Sequence, residues 1–327
     1  MYCKYSKSLM NVKLNIIKRM KENLQLNEEI VKIIQKLKLE PVRMSFAVIN
    51  LHTPEPEIAG YHMDEFIYPA SIYKVFVGAE ILRKVYEKIL NLSDIVEIKS
   101  PNDVDRDICL FPKTTSKDHR PPLKAGDKMT IDYLLDLVFS RSDNTASNTL
   151  IDIAGREDIN SHIILPNGWK GSEVTRKFLD RLKEEKEYRV SRITVSNARY
   201  LAEFFYKIEK GELVSKWVSE KLKAYMQNWN REGRSGLNLP EFVNYYRKGG
   251  WLEINGYKYN FLSAIKNVTK KGYAVNKWSN DAGVVTGQNS HYALALLSLT
   301  KSAWPWTEFP LKSFAKEIHI LMEKLDR

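Results

Sequence analysis

The chain has 327 residues, of which 43% are hydrophobic and 28% charged, with 51 Lys+Arg set against 40 Asp+Glu. These proportions suit one large domain or two interlocked ones and exclude a wholly disordered or fibrous chain. The two cysteines, Cys3 and Cys109, cannot build a disulfide framework, and no apolar run approaches the roughly 18 residues that a membrane helix needs.

Residues 1–40 hold nine Lys/Arg and four Glu, so +5 of the net +11 sits in this segment. Most basic residues alternate with acids on helix-like stretches, with no interleaved basic–aromatic patch. The charge therefore reads as a solvated surface and not as a nucleic-acid site. The first residues contain no continuous apolar h-region and no small-residue cleavage site, so the expected location is the cytoplasm. Apolar positions at helical spacing over 12–39 predict an amphipathic helix or two, ended by Pro41. Residues 44–51 read as a buried strand, and residues 58–68 as a second strand after the Pro54–Gly60 turn. Pro69 and Ser71 open a long helix running to Ile89. The polar, proline-rich stretch 100–128 reads as a loop or insertion.

Thr130 caps the next helix, and another runs from the Ser142 corner to Gly155. Further helices are expected at 173–187, 196–210 and 214–229, and strands at 257–262, 272–279, 281–287 and 291–299. A closing helix is expected at 311–325. Strands at both chain ends with helices between imply an α/β (α+β) fold, with a sheet completed by both ends and a helical middle. The division that follows is a helical extension over 1–40, a sheet part from 41–67 and 240–327, and a helical part over 68–239.

Ser71 and Lys74 stand three residues apart at the start of the long helix. That spacing is nearly one turn, so hydroxyl and amine share a face. A serine alcohol becomes a good nucleophile when a nearby base takes its proton. A lysine can be that base where burial and a helix N-terminus disfavour its charged form, and the Ser71 backbone N–H can serve as an oxyanion donor. The Ser-x-x-Lys spacing also occurs at Ser263, Ser298 and Ser313, so context must separate the first from ordinary surface pairs. Ser142-Asp143-Asn144 occurs once. It suits a turn capping the following helix, and it equally suits a corner that holds Ser142 as a proton shuttle while Asn144 bonds a substrate amide or Lys74.

Tyr68-Pro69-Ala70-Ser71-Ile72-Tyr73-Lys74, Met129 to Leu135 and Ser140 to Asn148, taken in this order, resemble the penicillin-recognising serine hydrolases, specifically the class A β-lactamase branch. The resemblance covers roughly residues 42–327. It includes Val195 to Ala202, similar to the helix after the family's omega loop, and Arg234 to Pro240, similar to the segment before the last strands. It implies an antiparallel sheet flanked by helices, with Ser71 as nucleophile, Lys74 as base and Ser142 as relay. The family's Lys-Thr/Ser-Gly strand is assigned to Lys277-Trp278-Ser279. There Lys277 would meet a substrate carboxylate, and the backbone N–H of Ser279 or Asn280 would complete an oxyanion hole with that of Ser71.

Class A enzymes carry Glu-x-x-Leu-Asn on the omega loop, where the Glu activates the water that cleaves the acyl-enzyme. Glu184, Glu185 and Glu187 lie in that neighbourhood, but Leu-Asn follows none of them. Glu184 and Glu185 are the candidate deacylation bases. The implied activity is β-lactam hydrolysis. A D-Ala-D-Ala-type peptidase, an esterase of the same fold, or a penicillin-binding module with little turnover are the alternatives. The six histidines show no paired ligand spacing, so no metal and no cofactor is expected. The expected partner is a small molecule met by a monomer, without nucleic acid and without membrane insertion.

Overall fold

The computed structural model describes residues 20–39, 43–104, 118, 120–175, 177–179, 194–227, 239–240, 243–255, 275–302 and 311–325. Its strands are β1 (Lys21–Glu22), β2 (Arg43–Asn50), β3 (Glu57–Tyr61), β4 (Ile95–Glu97), β5 (Lys128–Thr130), β6 (Asn244–Asn255), β7 (Val275–Thr286) and β8 (His291–Ser302). Six of them form one sheet in the order β1-β3-β2-β8-β7-β6, while β4 and β5 pair separately. The β1–β3 pairing is parallel and the others are antiparallel.

Period-two alternation explains why both faces of this sheet are covered. Phe46, Val48, Tyr292, Leu294 and Leu296 join one core cluster, with Leu26, Ile30 and Ile34 of α1 (Leu24–Lys36). Ala47, Ile49, Ala293, Ala295 and Leu297 join the second and larger cluster on the opposite face. That cluster includes the buried sides of α2 (Lys74–Tyr86), α3 (Ile131–Ser140), α4 (Asn144–Ala154), α5 (Ala198–Lys210) and α6 (Lys216–Gln227). The C-terminal helix α7 (Leu311–Leu325) covers the first face with Phe314, Ile318 and Met322. Among the described residues no helix is long and apolar enough to cross a membrane.

The register aligns small residues in one row across the sheet. Ala282 faces Ala295, Ala295 faces Ala47, and Ala47 faces Gly60. The helix α5 contacts β2, β7 and β8 and buries Ala198, Leu201, Ala202 and Phe205. Small side chains beneath a helix let it approach the sheet closely. At the edge of the row, Ala282 faces Lys248 of β6. The helix α2 is buried from Lys74 through Leu82, as expected of a central helix with apolar residues on all sides.

The expected strand at 257–262 lies outside the described residues, and the described elements differ from the expectations in several places. One continuous strand, β7, replaces the two expected over 272–279 and 281–287. An unexpected strand, β6, occupies 244–255, where Arg247-Lys248-Gly249-Gly250 breaks the apolar pattern that a buried strand shows. The helix expected at 173–187 is also absent where it can be checked. Glu173 makes a β-bridge to Val195, and residues 178–179 form a bend.

Glu209, near the end of α5, ties the helices to the sheet. Its carboxylate accepts from Lys223 of α6 at 2.8 Å and from the Tyr246 hydroxyl of β6 at 2.6 Å, and it lies 3.3 Å from His291 of β8. Burial pushes this carboxyl up, but hydrogen bonds from His291, Lys223 and Tyr246 outweigh it and hold it below the usual 4.5, at about 2. Its stabilising contribution is full above 4.5 and is lost as pH falls toward about 2. Glu209→Gln is therefore expected to lower the urea midpoint at pH 7 more than at pH 3. An equal loss at both pH values would contradict this account.

Candidate active site

Backbone geometry at the start of α2 sets Ser71 apart from Ser298 on β8 and Ser313 on α7, while Ser263 lies outside the described residues. Pro69 fixes the entry, Ala70 takes φ +47, and residues Ala70–Tyr73 form a 3-10 turn before α2 begins at Lys74. A left-handed residue bearing a Cβ persists only where its surroundings hold it. Here β7 holds the turn. The Asn280 amide donates to the Tyr68 carbonyl at 3.0 Å, and the Tyr68 ring stands edge-on to Trp278 at 6.0 Å. Ser71 is half-buried and Lys74 is fully buried.

Lys74 reaches from α2 to the corner that starts α4. Its Nζ donates to the Ser142 carbonyl at 2.6 Å and to Asn144 Oδ1 at 2.7 Å, with Ser142 Oγ at 3.3 Å and the Asp143 carbonyl at 3.4 Å. Asp143 Oδ1 caps α4 by accepting from Ala146 N at 2.8 Å. Ser142 itself takes φ +59. The capping and proton-shuttle readings of this triplet are therefore geometrically compatible.

The opposite side of Ser142 is met by Lys248. Its Nζ lies 2.8 Å from Ser142 Oγ and donates to the Gly249 carbonyl at 2.9 Å. Lys248 is fully buried, and burial first, then the positive charges of Lys74 and Arg247, push its amine well below its ordinary range, against the pull of Asp281. Two residues along the same strand face, a Cβ on Gly250 would stand 2.8 Å from Ser71 N and 2.6 Å from the Pro69 carbonyl. Only glycine fits where the strand passes the Ser71 turn so closely. The edge strand beside Ser71 is therefore β6, carrying Lys248-Gly249-Gly250.

This arrangement differs from the expectation of a third motif on β7, because the lysine that meets Ser142 from the sheet is Lys248 of β6. That strand lies inside the sheet, between β6 and β8. The main chain of Lys277 pairs with Glu253 and Thr300, and its side chain lies outside the described residues. Ser279 faces Trp251 in the ladder, and its carbonyl accepts from Ser298 Oγ. Asn280 is buried, accepting from Ser298 N at 2.8 Å while its amide holds Tyr68. Asn280 thus supports the Ser71 turn from behind, through Tyr68. Sequence reasoning missed Lys248 and Gly250, although Lys-Gly-Gly keeps the lysine and the closing glycine of Lys-Thr/Ser-Gly. Chain order was a usable signal, because these residues directly follow the Arg234–Pro240 segment.

One face of α4 presents Asn144, Asn148 and Asp152 at successive turns. Asn144 meets Lys74. Asn148 grips the main chain of Phe178, accepting from its N–H at 2.7 Å and donating to its carbonyl at 3.1 Å. Asp152 pairs with the buried Lys177 at 2.6 Å. The loop bearing Lys177 and Phe178 is closed at its neck by Glu173 and Val195, which exchange hydrogen bonds of 3.1 and 3.2 Å. The candidate bases Glu184 and Glu185, with Glu187, lie outside the described residues.

Among the described residues, one group of possible metal ligands converges away from this site. Glu80, Asp158 and His162 bring their ligand atoms within 4.8 Å of one another. The Glu80 carboxylate already takes both arms of Arg83 at 2.7 Å, and Asp158 takes Lys84 at 2.8 Å. These cations neutralise the charge that would attract a metal ion.

The profile of the β-lactamase enzyme family matches residues 25–315. No curated protein sequence matches the chain. Among solved structures, a β-lactamase from Chitinophaga pinensis superposes with a TM-score of 0.68 at 16% identity, covering 92% of this chain and 100% of its own. A β-lactamase from Sphaerobacter thermophilus gives 0.64 at 17%, covering 91% and 98%. A mutant of PBP-A in an acyl-enzyme complex with penicillin G gives 0.66 at 18%, covering 91% and 97%. At these identities the structural likeness establishes the fold.

If Lys248 and not Lys277 serves the site, Lys248→Met should slow labelling of Ser71 by a fluorescent penicillin about a hundredfold more than Lys277→Met does. Equal slowing by the two variants would return the third motif to β7. Gly250→Ala should also lose labelling while keeping its melting temperature within a few degrees, because the new Cβ displaces the turn and leaves the core intact.

Proposed function

The chain belongs to the β-lactamase enzyme family, and on that premise we propose that it is a serine hydrolase acting by covalent acyl transfer at Ser71, with β-lactam amides as its leading substrate class. The observation that carries this reading is the buried Lys74 amine, held by Ser142 and Asn144 one turn from Ser71.

In the proposed step, Ser71 Oγ attacks the carbonyl carbon and its proton passes to Lys74 in the amine form. The C–N bond then breaks, and the departing nitrogen takes a proton from Ser142 Oγ, which Lys74 or Lys248 resupplies. The product is an ester on Ser71, and attack by water returns the free enzyme and the ring-opened acid. Both lysines approach Ser142 Oγ, at 3.3 and 2.8 Å, which suits a hydroxyl that passes protons between them and the substrate. The backbone N–H of Ser71, with that of Gly250 or Trp251, is assigned to the oxyanion. When it carries a proton, Lys248 favours a substrate carboxylate nearby.

A second reading, a penicillin-binding protein that releases its acyl group slowly, draws support from Phe178. Asn148 holds the main chain of this residue one turn along α4 from the Asn144–Lys74 contact, so the loop position registered there carries an apolar residue. Activation of a water there calls for a base.

Intact-mass time courses with excess benzylpenicillin test both readings. Wild type is expected to gain one penicilloyl mass and Ser71→Ala none; wild type without an adduct at any time would sink acylation by β-lactams. Phe178→Glu is expected to shorten the adduct's lifetime. A wild-type adduct that disappears within a few turnovers, unchanged by Phe178→Glu, would favour the hydrolase and place the deacylating base elsewhere.

A further inference from the structure

Ser142 bridges the two buried lysines from a backbone conformation that few serines adopt, and its immediate neighbours bond to each other across it. Arg141 Nε and Nη2 donate to Asp143 Oδ2 at 3.0 and 2.7 Å. Resting on the acyl-transfer reading above, we propose that Arg141 and Asp143 form a clasp that positions Ser142 as the proton relay.

The clasp closes a ring of side chains around one left-handed residue, at φ +59. Rotation of Ser142 to a right-handed conformation would swing its carbonyl away from Lys74, 2.6 Å distant, and its hydroxyl away from Lys248, 2.8 Å distant. A fixed guanidinium–carboxylate pair opposes that rotation at both flanking residues. The clasp is itself anchored. Arg141 Nη1 donates to the Arg120 carbonyl at 2.7 Å, Arg141 Nη2 donates to the Pro121 carbonyl at 3.2 Å, and Asp118 lies 3.7 Å from the guanidinium. The N–H groups of Arg141 and Asp143 both donate to the Leu137 carbonyl, at 3.2 and 3.1 Å.

Both members are buried, at 6% and 1% exposure. Burying an ion pair is a poor route to stability, because desolvation consumes much of the attraction. Capping of α4 uses only Asp143 Oδ1, so the second oxygen and the whole of Arg141 exceed what the helix requires. Geometric control of Ser142 accounts for them.

The test uses three variants and two readouts. Arg141→Ala removes the clasp. Asp143→Asn keeps a side-chain oxygen for the cap while discharging the pair. Ser142→Gly permits the left-handed backbone without the hydroxyl. The rate of Ser71 acylation by a chromogenic cephalosporin is expected to fall about a hundredfold in Arg141→Ala. Low millimolar guanidinium should partly restore it, and Asp143→Asn should show an intermediate loss. In the Ser142→Gly background, removing Arg141 should cause little further loss, because the two residues act through one group. Additive losses in that background would overturn the clasp, and so would wild-type acylation by Arg141→Ala.

A crystal structure of Arg141→Ala supplies the second readout. Loss of the left-handed Ser142 or of its lysine contacts is expected; their retention overturns the proposal. If Arg141→Ala does not fold, Asp143→Asn carries both readouts. This structural outcome is independent of turnover, so it separates failure of the clasp from failure of acylation in wild type.

Discussion

A lysine amine removed from water must find acceptors, and Lys74 finds them on a different helix. Burying an unpaired ammonium or amine is costly, so the side chain can lie at the core-facing start of α2 only if the corner before α4 is docked against it. The Ser142 carbonyl, the Asn144 amide oxygen and the Asp143 carbonyl meet that need. Because one contact comes from a left-handed serine and another from the first residue of α4, the helix starts and the intervening corner are constrained together. The helical layer thus takes its registration from a polar contact, while the apolar packing of α2 supplies most of the burial.

The sheet completes the site through two residues of one edge strand. Period two places Lys248 and Gly250 on the same face of β6, so the lysine reaches Ser142 while the glycine lets the strand pass the Ser71 turn. The row of small residues running from Ala282 to Gly60 lets α5 lie close on the same face. On the other face, Arg247 and Asp281 form a buried ion pair within the β6–β7 ladder, and Tyr245 donates to the same carboxylate at 3.1 Å. The buried side chain of Lys248 is held on its own face by Ser142 Oγ and the Gly249 carbonyl.

The face of α4 acts as a ruler. Three polar side chains at one-turn spacing meet, in order, the buried lysine, the main chain of Phe178 and the ammonium of Lys177. Asn102 strengthens the far end, accepting from Lys177 at 2.9 Å and donating to Asp152 at 2.7 Å. The described start of the loop is therefore registered against Lys74 through α4. Solved β-lactamases and PBP-A share this fold at 16 to 18% identity.

The local sequence was enough to single out the Tyr68–Lys74 and Ser140–Asn148 segments. Their geometry depends on helix periodicity, a proline entry and a cap, all set by residues a few positions apart. It also sufficed for the period-two pattern of β2 and β8. It did not identify β6, because Arg247, Lys248, Gly249 and Gly250 are poor strand formers and break the apolar alternation. The order of strands was equally hidden: Lys277 and Lys248 both lie on long strands, and only the pairing of β7 with β8 on one side and β6 on the other shows which strand borders Ser71. At 173–175 and 177–179, the described start of the helix expected over 173–187, the chain is not helical for a similar reason: Val195 and Asn148, both distant in sequence, claim its main chain. Spacing within a segment is a property of the covalent chain. Which segment closes the site is a property of contacts such as Gly250 with Ser71, which exist only after residues far apart in sequence have packed together.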